Sequence, residues 1–191
     1  LIDIPPNGEP VLREDGSRIG FFHSGGDQTI CAQFVTAIGS EVIEHLTVIS
    51  PYWDKDLRAL SALSDTLPGT PRVSIIIDPD AGLFPVDALG AFDDIVIKNA
   101  NQISNVENGS RFAHAKVIIA SGPENDHVLT GSANCTFAGL GLPNAGGTNG
   151  EACVYLSTPK KDIHSVLGLS MLFNDPDATV EQKSIRPMAE V

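Results

Sequence analysis

The chain has 191 residues, 42% of them hydrophobic, enough to bury one good-sized core in a single domain. No run of eighteen or more apolar residues occurs, which excludes a helical membrane span. With 24 acidic against 12 basic residues the net charge is −12, so the chain repels a polyanion at long range and is no general nucleic-acid coating protein, although a local basic pocket can still hold one phosphate.

Residues 1–20 read as a linker-like lead-in. LIDIPPNGEPVLREDG has neither the basic start nor the apolar stretch of a signal peptide, and the chain begins without Met, as expected of a piece of a longer protein. Residues 21–173 carry the patterns of one domain. Gly25-Gly26-Asp27 predicts a turn with an N-cap, and Ile30, Cys31, Phe34, Val35 and Ile38 follow at helical spacing until Gly39. His45 to Ser50 is a strand-type run. In PYWD, Asp54 is placed to cap a helix with the stripe Leu57, Leu60, Leu63 and Leu67, which Pro68-Gly69 stops. Arg72 to Asp78 is nearly all β-branched or apolar, as in a strand covered on both faces.

A short helix through Ala88 and a strand over Asp94 to Lys98 come next. After a hairpin, a Gly-rich loop spans Gly139 to Gly150, a strand runs from Ala152 to Leu156, and a helix from about Lys161 to Phe173. Residues 174–191 are polar and proline-bearing, which predicts a linker or loose tail. The alternation predicts an α/β domain, a mixed sheet with helices on both faces. Cys31, Cys135 and Cys153 cannot all pair with one another and show no C-x-x-C spacing; they read as small core residues in a reducing, cytoplasmic setting and argue against zinc.

The hairpin, RFAHAKVIIASGPENDHVLTGSANCTFAG, holds the chemistry. On an extended strand His114 and Lys116 point the same way, and Val117 and Ile119 the other, into a core. A neutral imidazole can attack phosphorus, and an ammonium can neutralise the non-bridging oxygens. Ser132 and Asn134 add donors without negative charge, and Gly131 lets the backbone come close to a bound group. Glu151, directly after the Gly-rich loop, is placed to hold the far nitrogen of His114 and fix its tautomer. Other residues read differently. His23 belongs to a loop or the core, and His45, His127 and His164 are structural or solvated. Tyr52 and Trp53 follow a strand end, where they line a cleft or pack in the core.

HAK at 114–116, GSAN at 131–134 with Thr136 after it, and NGE at 149–151 stand in the order His-x-Lys, Gly-Ser-x-Asn, Asn-x-Glu. In this the chain resembles the phospholipase D superfamily, and ISPYWDKDLRALSAL at 49–63 looks like the family's preceding strand-loop-helix element; the resemblance covers about residues 20 to 173. One position departs. Where the family places Asp after His-x-Lys, this chain has Ser121, and Asp126 lies nearby without being in register.

The resemblance implies a phosphodiesterase or phosphatidyl transferase without metal or cofactor. His114, Lys116, Asn134 and Glu151 would be catalytic, and Ser132 would bind substrate. One His becomes a phosphohistidine and a second, from a two-fold-related motif, protonates the leaving oxygen. This chain holds one such motif, so the partner expected is a second His-x-Lys half, from a homodimer or another part of the same protein. Hydrolysis of nucleic acid is the leading reading, since no signal peptide or interfacial amphipathic helix favours lipid. The rivals are a phospholipid hydrolase or transferase, and a catalytically silent half that scaffolds a dimer or a neighbouring domain.

Overall fold

The computed structural model describes residues 9–92, 94–103, 114–160 and 162–188. Within these, eight strands form one mixed sheet: β1 (Val11–Leu12), β2 (Arg18–His23), β3 (His45–Ile49), β4 (Arg72–Ile77), β5 (Ile95–Asn99), β6 (Val117–Ser121), β7 (Asn125–Gly131) and β8 (Ala152–Pro159), ordered β1-β2-β8-β7-β6-β3-β4-β5. The β3-β4 and β4-β5 pairs are parallel and the rest antiparallel. The helices are α1 (Ile30–Ile38), α2 (Arg58–Thr66), α3 (Phe137–Leu140), α4 (Ile163–Val166) and α5 (Ser170–Asn174).

Alternate strand residues feed two cores. Val48, Ile75 and Ile118 pack with Phe34 of α1 and Leu60 and Leu63 of α2 on one face. Ile49, Ile76 and Ile119 face the other way and meet Ile163 of α4 and Leu172 of α5. Helices therefore cover both faces of the sheet centre, which is why HLTVI and RVSIII are almost continuously apolar. Truncating Leu60 or Ile75, neither of which is exposed at all, to Ala costs about 2–5 kcal/mol.

Several predicted boundaries shift, each for a local reason. The cap of α1 is Thr29, whose Oγ1 accepts the Ala32 N–H at 2.9 Å, rather than Asp27. Asp54 caps from outside the helix: α2 begins at Arg58, and the Asp54 carboxylate reaches forward to the Ala59 N–H at 3.1 Å. The single helix expected over 161–173 is two short ones, α4 and α5, because Gly168 takes a φ of 71° between them. Lys161, where that helix was to start, lies outside the described residues.

The described parts of both predicted ends, 9–20 and 174–188, join the fold. β1 and the first half of β2 lie within the lead-in and pair with each other and with β8. At the other end, the Val180 N–H bonds the Ile97 carbonyl at 2.8 Å, the Arg186 N–H bonds that of Pro79 at 2.8 Å, and Ala178 and Ile185 are buried. This segment covers the edge strand β5, whose outward N–H and C=O groups would otherwise be open for pairing. Nothing periodic marks it in the sequence.

Candidate active site

Antiparallel pairing brings several strand ends to one end of the sheet. Ile49 lies opposite Val117, Val117 opposite Thr130, Gly131 opposite Cys153, and Ala152 opposite His23. Along this row stand His23, Glu151, Ser132, Lys116 with His114, and Tyr52.

His114 and Lys116 precede β6, which starts at Val117, so they are not on the central strand itself. The strand proper is buried on both faces, Ile118 in one core and Ile119 in the other, and a charged pair fits only beyond the helices' cover. Lys116 Nζ lies 2.9 Å from His114 Nδ1 and also donates to the His114 carbonyl at 3.3 Å. An ammonium only donates, so Nδ1 is the acceptor here and the neutral ring carries its proton on Nε2. Thr130 Oγ1 donates to the Lys116 carbonyl at 3.1 Å and pins the pair to β7.

Ser132 and Glu151 form a second pair. Ser132 Oγ donates to Glu151 Oε2 and accepts the Ala152 N–H at 3.0 Å. Asn149 Nδ2 donates to Glu151 Oε1 at 3.1 Å, and the Glu151 N–H is held by Ser24 Oγ at 2.7 Å. The expected bond from Glu151 to His114 is thus replaced: Ser132 and Asn149 take the two carboxylate oxygens, and Lys116 takes Nδ1. Strand β7 lies between β8 and β6. Gly131 also serves otherwise than expected. A Cβ there would sit 2.3 Å from the Ala152 carbonyl oxygen and 2.6 Å from Cys153 Cα, so the missing side chain admits β8 rather than a bound group. Asn134 lies deeper, its Oδ1 buried without a hydrogen-bond partner among the described residues.

Residue types alone did not disclose the brace behind this row. The Asp54 carboxylate accepts the Phe137 N–H at 2.9 and 3.0 Å as well as that of Ala59, joining the starts of α2 and α3. Ser50 Oγ accepts the Cys135 N–H at 3.0 Å and donates to the Tyr52 carbonyl at 2.8 Å. Thr136 caps α3 through the Gly139 N–H. SPYWD is thereby bolted to GSANCT. The two aromatic residues divide: Trp53 packs edge-on against Phe84 in the core, whereas Tyr52 is 43% exposed, with its ring 6.0 Å from that of His114 at 78°.

The departure at Ser121 has a structural counterpart. Ser121 is buried at the far end of β6, and its partner across the hairpin is Asp126. The Asp126 side chain is buried too, with Oδ2 accepting the Ile163 N–H at 3.3 Å at the start of α4. A carboxylate thus stands at the expected level, one strand over. The cysteines are buried, and burial pushes their thiols up, Cys31 to about 12. Among the described residues no cluster of three His, Cys, Asp or Glu side chains could hold a metal ion, and no helix is long and apolar enough to cross a membrane.

No protein-family model matches the chain, and no curated protein matches it in sequence. Among solved structures, yeast tyrosyl-DNA phosphodiesterase aligns at 12% identity with a TM-score of 0.43, over 72% of this chain and 31% of that one. Mutant structures of the same enzyme align at 14% identity and a TM-score of 0.44. The chain spans about a third of that enzyme's length. A likeness at this level carries nothing about substrate or mechanism.

Proposed function

We propose that the chain supplies one half of a metal-independent phosphodiesterase site that cleaves nucleic acid through a phosphohistidine on His114. The observation that carries this reading is the His114–Lys116 contact beside the Ser132–Glu151 pair at one exposed end of the sheet.

In this scheme Lys116 acts first. A bound phosphodiester competes for its ammonium, which leaves Nδ1 for a non-bridging oxygen. Nδ1 can then carry the ring proton, relayed through water, and the lone pair moves to Nε2. Nε2 attacks phosphorus, a P–N bond forms, and the P–O bond to the leaving sugar breaks. Asn134 donates to the phosphoryl oxygens, and Ser132 donates to them once its one hydroxyl proton is released from Glu151. The leaving oxygen takes a proton from an imidazolium on the opposite side of phosphorus. One His cannot occupy both sides, so the second comes from another His-x-Lys half, a second copy or another part of the same protein. The same imidazole then takes a proton from water, which cleaves the P–N bond and yields a phosphomonoester and free His114. The three buried thiols suit a reducing compartment such as the cytoplasm.

Oligonucleotide hydrolysis in EDTA tests this. Turnover that survives the chelator and disappears in His114→Asn supports it; loss in EDTA restored by magnesium contradicts it. Turnover of dispersed phospholipid in place of oligonucleotide would move the substrate to lipid. No turnover of either would leave a scaffolding half. A strictly monomeric chain with full activity would remove the need for a second His.

A further inference from the structure

We infer that Tyr52 is a stacking platform for the nucleobase next to the scissile phosphate, an inference that rests on the phosphodiesterase reading and names the part of the substrate the site recognises. The ring stands at the carboxyl end of β3, beside the start of β6, with 43% of the residue exposed. It lies 6.0 Å from the His114 ring at 78°, so a phosphate held at His114 and Lys116 puts the adjoining nucleoside within reach of the Tyr52 face.

The display is rigid. Ser50 Oγ holds the Tyr52 carbonyl at 2.8 Å, the next residue, Trp53, is anchored against Phe84, and the Asp54 carboxylate ties the loop to α2 and α3. With the backbone tied down, only the ring's own two torsions remain to be ordered when a base stacks on it. A flat aromatic face suits a planar base, whereas an acyl chain needs an aliphatic groove. Stacking also needs no positive field, which fits an aromatic contact in a chain of net charge −12. Arg58, 4.3 Å over the Phe137 ring at the start of α2, adds a cation to the same braced element.

The test compares an oligothymidylate with an abasic oligomer of equal length, so that phosphate charge is constant and only the bases differ. Hydrolysis is measured for the wild type, Tyr52→Leu, which keeps bulk against His114, and Tyr52→Phe, which keeps the ring. Affinity for both oligomers is measured in a His114→Asn background. The wild type and Tyr52→Phe should prefer the base-bearing oligomer by about tenfold to a hundredfold, and Tyr52→Leu should lose that preference, its loss on the base-bearing oligomer exceeding any loss on the abasic one. An equal loss on both oligomers would make Tyr52 a positioning residue for His114 and overturn the platform. An unchanged preference in Tyr52→Leu would overturn it as well, as would an effect seen only with dispersed phospholipid. If the wild type hydrolyses neither oligomer, the phosphodiesterase reading fails. Base-dependent affinity that Tyr52→Leu abolishes would then still uphold the platform, and its absence would end it.

Discussion

The β6–β7 hairpin has a histidine, a carboxylate and a hydroxyl at each end, and the two ends use them oppositely. At the turn end, His127 is 2% exposed, with Nε2 3.1 Å from Glu41 Oε2 and Nδ1 2.8 Å from the Tyr155 hydroxyl. Glu41 also accepts the N–H groups of Glu124 and Asn125 and the Asn125 side-chain amide. Gly122 has no Cβ because one would lie 2.3 Å from Glu41 Oε1. Every partner there is internal. At the other end His114 and Ser132 are exposed, and the ring nitrogen meets a lysine that a phosphate can draw away. The difference is burial. A hydrogen-bonded network built around the buried His127 clamps the hairpin, whereas the same residue types in water stay exchangeable and can act on a ligand.

Exchanging the roles of the two ends is the sharpest way to break this contrast. His114→Asn should lower turnover by roughly four orders of magnitude, as removal of a nucleophile does, with thermal unfolding unchanged. Glu41→Ala should do the reverse. It removes the acceptor shared by the buried His127 and the hairpin turn and should cost about 2–4 kcal/mol in chemical denaturation, while turnover per folded molecule persists. Large loss of turnover in folded Glu41→Ala would mean that the turn end takes part in the chemistry.

A smaller effect is expected at Gly131, where the chemical end still depends on packing. Gly131→Ala must push β8 away from β7 and should destabilise by about 1–3 kcal/mol, with turnover falling as Ser132 and Glu151 lose register. Wild-type stability here would show that β8 moves freely.

The smallest effect is in pH. Burial holds the His127 imidazole below its ordinary 6.5, an effect that its bond to Glu41 opposes. The unfolded chain therefore binds that proton first, so stability is full above pH 6.5 and declines as pH falls below it. Burial would raise the Glu41 carboxyl, but bonds from Asn125, His127 and Glu124 outweigh it and hold the group below 4.5, which adds a further loss below pH 4.5. His127→Gln should lose part of the first decline, the rest belonging to His164, which burial also holds below 6.5. A melting temperature that rises on acidification through this range would reverse the assignment.

The central strands were legible because both faces are covered, so HLTVI and RVSIII need no partner to be recognised. The motif residues were legible from order and chemistry, and SPYWD from its place after a strand. Lateral relations were not. Whether Glu151 meets His114 or Ser132 depends on β7 lying between β8 and β6, and strand order is not written in local pattern. Asp126 is out of register by counting along the chain, yet the hairpin sets it opposite Ser121. The break at Gly168 and the docking of Ala178 and Ile185 likewise follow from what the neighbouring sheet needs covered.

A covalent phosphoryl group on His114 is the species that separates an active end from a merely exposed one. The chain should be incubated with an oligonucleotide in EDTA, quenched in alkali, in which phosphohistidine survives, and mapped by mass spectrometry. A nucleotidyl or phosphoryl adduct on His114, absent in His114→Asn, is the expected result. Turnover that continues in His114→Asn, with no adduct on His114 in the wild type, would contradict it.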